Sequence, residues 1–341
     1  MKLGWHGGLR LKRREVQVED AVGLQLAHDM TRIVPGVFKG RQFRRGHVIR
    51  EEDIPTLLDM GKRHIYVLEL EEGELHEEDA AQMMANALAG DGLVQSEVEE
   101  GKVVLRAKHD GMLWVDARRV ATMNSIEHIS ISTRRPYTHV REGQAVASVR
   151  PIPLVIGADK IRAVELIAEE THGGRSIIDV LPYRAQRVHI VTTGSEIQSG
   201  RVEDKSGPVL RQKLAEFGIQ VAAQEFVGDD AEAIAAAIVA ACEQGATLVC
   251  VTGGMSVDPD DRTPGAIRTA ATEVVTHGTP IIPGSMLMLA YREKAAIFGL
   301  PGAVIHDDRT SFDVLLPRVL AGTRVRKRDI ALLGVGGWLN D

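Results

Sequence analysis

The chain has 341 residues, enough for two or three hydrophobic cores, and carries a formal net charge of −6. That balance argues against a nucleic-acid protein, which needs surplus Lys and Arg to neutralise phosphates. No apolar run approaches the length a bilayer demands; the longest, at 233–242, is about half of it.

In chain order, residues 18–30 place Val18, Val22, Leu26 and Met30 at helical spacing and predict an amphipathic helix. Residues 64–70 read as a strand, and 77–88 as a helix with acids in its first turn. The next stretch is β-rich. Residues 102–108 and 112–116 flank Asp110-Gly111, a pair that predicts a hairpin because its turn needs residues tolerant of positive φ. Strands are expected at 128–132 and 145–149, then a helix at 159–170 and a strand at 176–181. From Arg187 the texture changes to strands at 188–191, 220–226, 247–251 and 294–298. Helices at 208–217, 229–244 and 312–320 accompany them. Continuous apolar strands alternating with helices predict an α/β fold, a three-layer and mostly parallel sheet covered on both faces. The expected organisation is an α+β region at 1–92, a β-rich region at 93–155, and a connecting helix and strand at 156–185. An α/β domain at 186–322 and a tail at 323–341 complete it.

Two cysteines, Cys242 and Cys250, make neither a disulfide framework nor a zinc site. Both sit among apolar residues and read as inert buried thiols. No secretory signal opens the chain, and a cytoplasmic location is expected. The basic clusters at 10–14 and 324–328 are short and interrupted, as on a solvated surface.

Three glycine-bearing turns follow three strands of the α/β region. They are Thr193-Gly194-Ser195-Glu196, Thr252-Gly253-Gly254-Met255-Ser256 and Gly299-Leu300-Pro301-Gly302. Each turn alone could be no more than a tight turn. Together, at the carboxyl ends of parallel strands, they predict a pocket for a small anionic molecule, since glycines let the backbone approach a ligand. Glu196 and Asp204 follow the first turn, and Asp258, Asp260 and Asp261 the second. Carboxylates beside an anion repel it unless a cation such as Mg²⁺ intervenes, although each also reads as a loop acid or helix cap. Ser206, Ser256 and Thr263 offer hydroxyls or caps, and His306 is the histidine nearest the third turn. No Walker-type nucleotide loop and no dinucleotide fingerprint appears.

On these residues the chain resembles the molybdopterin-binding domains of molybdenum-cofactor biosynthesis, in particular the molybdopterin molybdenumtransferase family. The resemblance rests on Thr193-Gly194-Ser195-Glu196, on 200–204, on Gly253-Gly254-Met255-Ser256-Val257 with Asp261, and on Gly299-Leu300-Pro301-Gly302, in the family's order. Residues 18–27 look like the family's opening helix, and 40–61 like its glycine-marked linkage segment. The resemblance implies molybdopterin or its adenylylated form as the ligand, with Mg²⁺ and molybdate as further components. Glu196, Asp204 and Asp261 would then stand in catalytic positions, with Asp204 and Asp261 on the metal. Thr193, Gly194, Ser195, Ser206, Gly253, Gly254, Ser256, Gly299, Pro301 and Gly302 would contact the cofactor. A homodimer and a client molybdoenzyme are implied on the same ground.

The chain also departs from the family pattern. Ser195 replaces an aspartate, Lys205-Ser206 replaces Ser-Asn, and Asp258 replaces a glycine. Ser285-Met286 replaces Lys-Pro, Ala303-Val304 replaces Asn-Pro, and an early Asp-Gly-Tyr-Ala segment has no counterpart. Serine has no positive charge to replace that of the lost lysine beside an anion. Three activities fit this pattern: molybdenum insertion into molybdopterin, a non-catalytic carrier or sensor of the cofactor, and a nucleotide pyrophosphate hydrolase of the competence/damage-inducible type.

Overall fold

In the computed structural model, residues 14–34, 38–67, 70–170, 174–256 and 261–339 are described. The chain divides into two compact units. One comprises 1–108, 114–136 and 142–180, and the other 109–113, 137–141 and 181–341.

The first unit holds a four-stranded antiparallel sheet in the order Leu93–Gln95, Val103–Ala107, Ala145–Pro151, Ile129–Thr133. Helices Glu77–Leu88 and Ala158–Glu169 form where the periodicity predicts them. Two expectations fail here. Residues 18–30 are not a helix, because only Val18–Asp20 make a helical turn, of the 3-10 kind. Gly23 sits at φ 86°, and the amides of Leu26 and Ala27 bond to His47 and Tyr66 carbonyls rather than to their own turn. Val22, one of the four apolar positions of the stripe, is 45% exposed. Pairing with other strands has overridden a short local pattern. The segment 18–27 that looked like the family's opening helix is therefore not one in this chain.

The Asp110-Gly111 hairpin is also absent. Val103–Ala107 pairs with Leu93–Gln95 and Ala145–Pro151, whereas Gly111–Val115 pairs with His139–Val140. Gly111 is not among the glycines at positive φ, so the tight turn that Asp-Gly would favour does not form.

The second unit is built on a six-stranded sheet. Its strands are β1 (Val188–Thr193), β2 (Val221–Val227), β3 (Leu248–Thr252), β4 (Glu273–His277), β5 (Met288–Arg292) and β6 (Ala295–Leu300). Their order is β2-β1-β3-β6-β5-β4. The first four are parallel, and β5 and β4 close the edge antiparallel. The helices are α1 (Ser195–Gln198), α2 (Ser206–Ala215), α3 (Ala231–Glu243), α4 (Thr263–Ala270), α5 (Ala303–His306) and α6 (Ser311–Leu320). The antiparallel pair and α4 escaped the sequence reading.

Strand alternation sends side chains to two faces, and both are covered. Val188, Ile190, Leu248, Cys250 and Phe298 pack under α2 and α6, through Leu210, Leu214, Phe312 and Leu315. Val191, Val249, Val251 and Ile297 pack under α3 and α4, through Ile234, Ile238 and Ile267. Each such fully buried side chain contributes about 1.5–3 kcal/mol. The result is a three-layer α/β domain. Helix α3 starts where Asp230 accepts the Ala233 amide at 2.8 Å and ends before Gly245 at φ 86°. Past the expected end of the domain, Val325 and Ile330 are buried in the core under α6. Cys250 is buried in that same core, which pushes its thiol up to about 12, while Cys242 is half-buried.

Candidate functional site

From β1 the chain moves to one side to form β2, then returns across to form β3 on the other side of β1. That reversal opens a crevice beyond the carboxyl ends of β1 and β3, and the three glycine turns border it. A cavity of about 490 Å³ lies there, walled by Leu210, Met255, Met286, Leu300 and Ile305, with Thr252, Ser206 and Ser256 as its hydroxyls. A cleft of about 820 Å³ adjoins it through Ile197, Gly254 and Asp261, and adds Thr193, Gly194, Glu196, Asp229 and Arg262.

The turn after β3 depends on its two glycines. Gly253 and Gly254 take φ 89° and 56°. A Cβ on Gly253 would overlap the Thr193 carbonyl, so the chain ends of β1 and β3 meet backbone to backbone here. Thr263, at the start of α4, locks this junction: its hydroxyl donates to the Gly253 carbonyl at 2.8 Å and lies 3.3 Å from the Thr193 hydroxyl. Gly299 serves packing behind the cavity, where a Cβ would meet the Met255 sulfur and Ile267 at 2.8 Å.

Two residues that border this crevice each carry a buried polar atom without a hydrogen-bond partner among the described residues. These atoms are the Thr252 hydroxyl, on a residue 4% exposed, and Oδ2 of Asp261. Leaving such atoms unpaired costs about 1–3 kcal/mol each, so they are acceptor and donor positions suited to a ligand.

The sequence-predicted site residues therefore separate. Thr193, Gly194, Glu196 and Asp261 border the cleft; Ser206, Gly253, Gly254, Ser256, Pro301, Gly302 and again Asp261 border the cavity. Asp204, Ser195 and Gly299 border neither. Asp204 holds the first turn of α2. Its carboxylate accepts the Ser206 amide at 2.9 Å, the Gly207 amide at 3.1 and 3.2 Å, and the Gln224 side-chain amide at 2.6 Å. Ser195 gives its amide to Asp229 at 2.9 Å. His306 ends α5, exposed and outside both linings. Asp258 and Asp260 lie outside the described residues. Among the described residues, no three His, Cys, Asp or Glu side chains converge on a metal position, and no helix is long and apolar enough to cross a membrane.

Sequence reasoning missed Asp229, Arg262 and Met286 as lining residues. Asp229 stands at the first position of the predicted helix 229–244, and nothing in the local pattern marks Arg262, because only the fold brings it to the same cleft as Glu196.

A doubly covered α/β sheet with a glycine-bordered crevice at its strand reversal defines a small-molecule-binding domain. Residues 189–321, within the second unit, match the family described as a probable molybdopterin binding domain. Residues 15–69 match a domain of unknown function. Among curated relatives, a molybdenum cofactor biosynthesis bifunctional protein of Synechococcus elongatus is 37% identical over 78 residues, 23% of this chain and 24% of that protein. A molybdopterin molybdenumtransferase of the same organism is 27% identical over 144 residues, 39% of this chain and 36% of the relative. A CinA-like protein of Mycolicibacterium gilvum is 32% identical over 139 residues, 36% of this chain and 32% of the relative. The chain thus spans between a quarter and about a third of the length of these relatives. Among solved structures, the molybdopterin biosynthesis enzyme MoaB from Thermus thermophilus is 25% identical with a TM-score of 0.36, covering 41% of this chain and 98% of the other.

Proposed function

We propose that the second unit binds molybdopterin, or its adenylylated form, in the crevice beyond β1, β3 and β6, and that the protein acts in molybdenum-cofactor biosynthesis. The observation that carries this reading is the pair of buried atoms, on Thr252 and Asp261, that have no hydrogen-bond partner among the described residues and belong to residues lining a cavity with apolar walls. A pterin is a flat ring with N–H donors and ring acceptors at its edge. Asp261 Oδ2 would accept from such an edge and the Thr252 hydroxyl would complete it, while Met255, Leu300 and Ile305 exclude water. The glycine turns would receive the phosphate through backbone N–H groups.

Among the described residues, the cleft carries Glu196, Asp229 and Asp261 against one cation, Arg262. An anionic ligand entering there needs a compensating charge. Mg²⁺ fits this donor set, because it commonly takes one or two carboxylates and completes its shell with ligand phosphate and water. Glu196 and Asp261 are the residues that would hold it, and it would neutralise phosphate charge when bound. Asp204 would act by fixing the loop between α1 and α2. Molybdate insertion would proceed beside this cation, and a carrier that hands the cofactor to a client molybdoenzyme would use the same pocket without turnover. A homodimer is part of the proposal, and elution at a monomer mass in size-exclusion chromatography would exclude it.

Calorimetric titration of the protein with molybdopterin, with and without Mg²⁺ and molybdate, tests this reading. Asp261→Asn and Thr252→Val should each weaken binding about tenfold, or about 1.4 kcal/mol. Absence of binding to the native chain under every condition would sink it. Molybdate-dependent turnover would select insertion over the carrier. Release of AMP from adenylylated substrates without molybdate would favour the pyrophosphate hydrolase chemistry.

A further inference from the structure

The opposite edge of the same sheet holds a second cavity, of about 410 Å³, on the amino-terminal side of β1, β3 and β6. The geometry points to a separate small-molecule site there, one that takes the phosphate, or a comparable oxyanion group, of a small phosphorylated ligand. Arg184, Lys294 and Arg324 line it, and among the described residues no carboxylate does. In a chain of net charge −6, three cations around one cavity are a local reversal of sign.

The state of each cation matters. Arg324 is partly committed: it pairs with Glu273, donates to the Glu293 carbonyl at 3.3 Å and stacks over the Tyr291 ring at 4.1 Å. Glu273 and Asp329 are the acids close enough to act on Tyr291 in this wall. Arg184 and Lys294 have no ion-pair partner among the described residues. Gly322, at φ 72°, lets the Arg184 guanidinium lie directly against the backbone, where any Cβ would overlap it. These guanidinium donors are not needed by the end of α6. Its last carbonyls already receive the amides of Ala321, Gly322 and Thr323, and the backbone amide of Arg184 takes the Leu320 carbonyl.

The second observation is a hydroxyl. Thr323 Oγ1 is buried in this wall and has no hydrogen-bond partner among the described residues. A hydroxyl donor among cations is a combination that oxyanions select, because each oxygen can be met by a charged or neutral donor. Val319 and Ala296 give the cavity an apolar floor on which the rest of a small ligand would sit. The six residues of β1 separate this cavity from the glycine turns by about 17 Å at ~3.3 Å per residue. The two sites are therefore distinct, and this inference stands apart from the molybdopterin reading.

Titration with inorganic pyrophosphate by calorimetry at low ionic strength is the test. Native protein should bind it, with affinity that falls as salt rises. Arg184→Ala combined with Lys294→Ala should weaken binding about tenfold or more, which is a loss of about 1.4 kcal/mol. Thr323→Val should weaken it severalfold, and Asp261→Asn at the other edge should leave it unchanged. Arg184 and Lys294 are exposed, so unchanged melting of the double variant is the expected control for folding. No binding at millimolar pyrophosphate overturns the proposal. So does binding that survives the double variant, or binding that Asp261→Asn removes.

Discussion

Asp204 is the residue on which the sequence and the structure place different roles, and replacing it with alanine separates them. Its carboxylate accepts two backbone amides at the start of α2 and the side-chain amide of Gln224, which also donates to Thr192 at 2.9 Å. Ser206 and Gly207 are buried, so their amides lose their acceptor without ready access to water. Loss of a helix-start acceptor costs about 1 kcal/mol, and the orphaned donors add about 1–2 kcal/mol more. The expected destabilisation is about 2–3 kcal/mol. For a unit of this size, that lowers the melting temperature by about 4–10 °C. Differential scanning calorimetry reads the shift directly, and Asp204→Asn, which keeps one acceptor oxygen, should recover about half of it. Because Asp204 lines neither part of the crevice, the weakening of molybdopterin binding should follow the loss of loop order rather than exceed it. An unchanged melting transition accompanied by abolished ligand binding would refute this account and return Asp204 to the ligand or its metal.

Two further outcomes follow from local geometry. Gly253→Ala places a methyl group on the Thr193 carbonyl at a φ of 89°, which should destabilise the turn by about 1–3 kcal/mol and abolish binding in the crevice; a variant that binds as the native chain does would show that the two turns do not abut. His76 is fully buried, bonded to the Ala27 carbonyl and accepting the Glu78 amide, and burial together with Arg45 lowers its imidazole from 6.5 to about 4. The unfolded chain therefore binds the extra proton first as the medium is acidified. Stability of the first unit is complete above pH 6.5 and falls by about 3 kcal/mol as pH drops toward 4. Denaturant midpoints measured across that window should slope for the native chain and flatten for His76→Gln; equal slopes would exclude His76 as the cause.

What the amino-acid sequence determined by itself is the second unit's layered α/β plan and the place of its crevice. Strands such as 247–251 are apolar at nearly every position, and that pattern is stable only when both faces are covered. Caps at Asp230 and Gly245 mark α3 from local chemistry alone. Glycine turns must lie at the strand ends whatever the partners are. The tertiary structure decided the rest, because the deciding interactions join residues remote in sequence. Residues 18–30 carry a helical stripe, but their amides find partners around positions 47 and 66, and those bonds outweigh a short helix. Asp110-Gly111 is followed by a strand that pairs with residues 139–140 instead of turning back. Asp204 and Asp261 look alike as loop acids, yet Gln224 and the start of α2 claim one of them, and the fold leaves an oxygen of the other buried with no hydrogen-bond partner among the described residues. Arg184, Lys294 and Thr323 are scattered across 140 positions of the sequence. Only the alignment of strand starts and the end of α6 brings them to one wall.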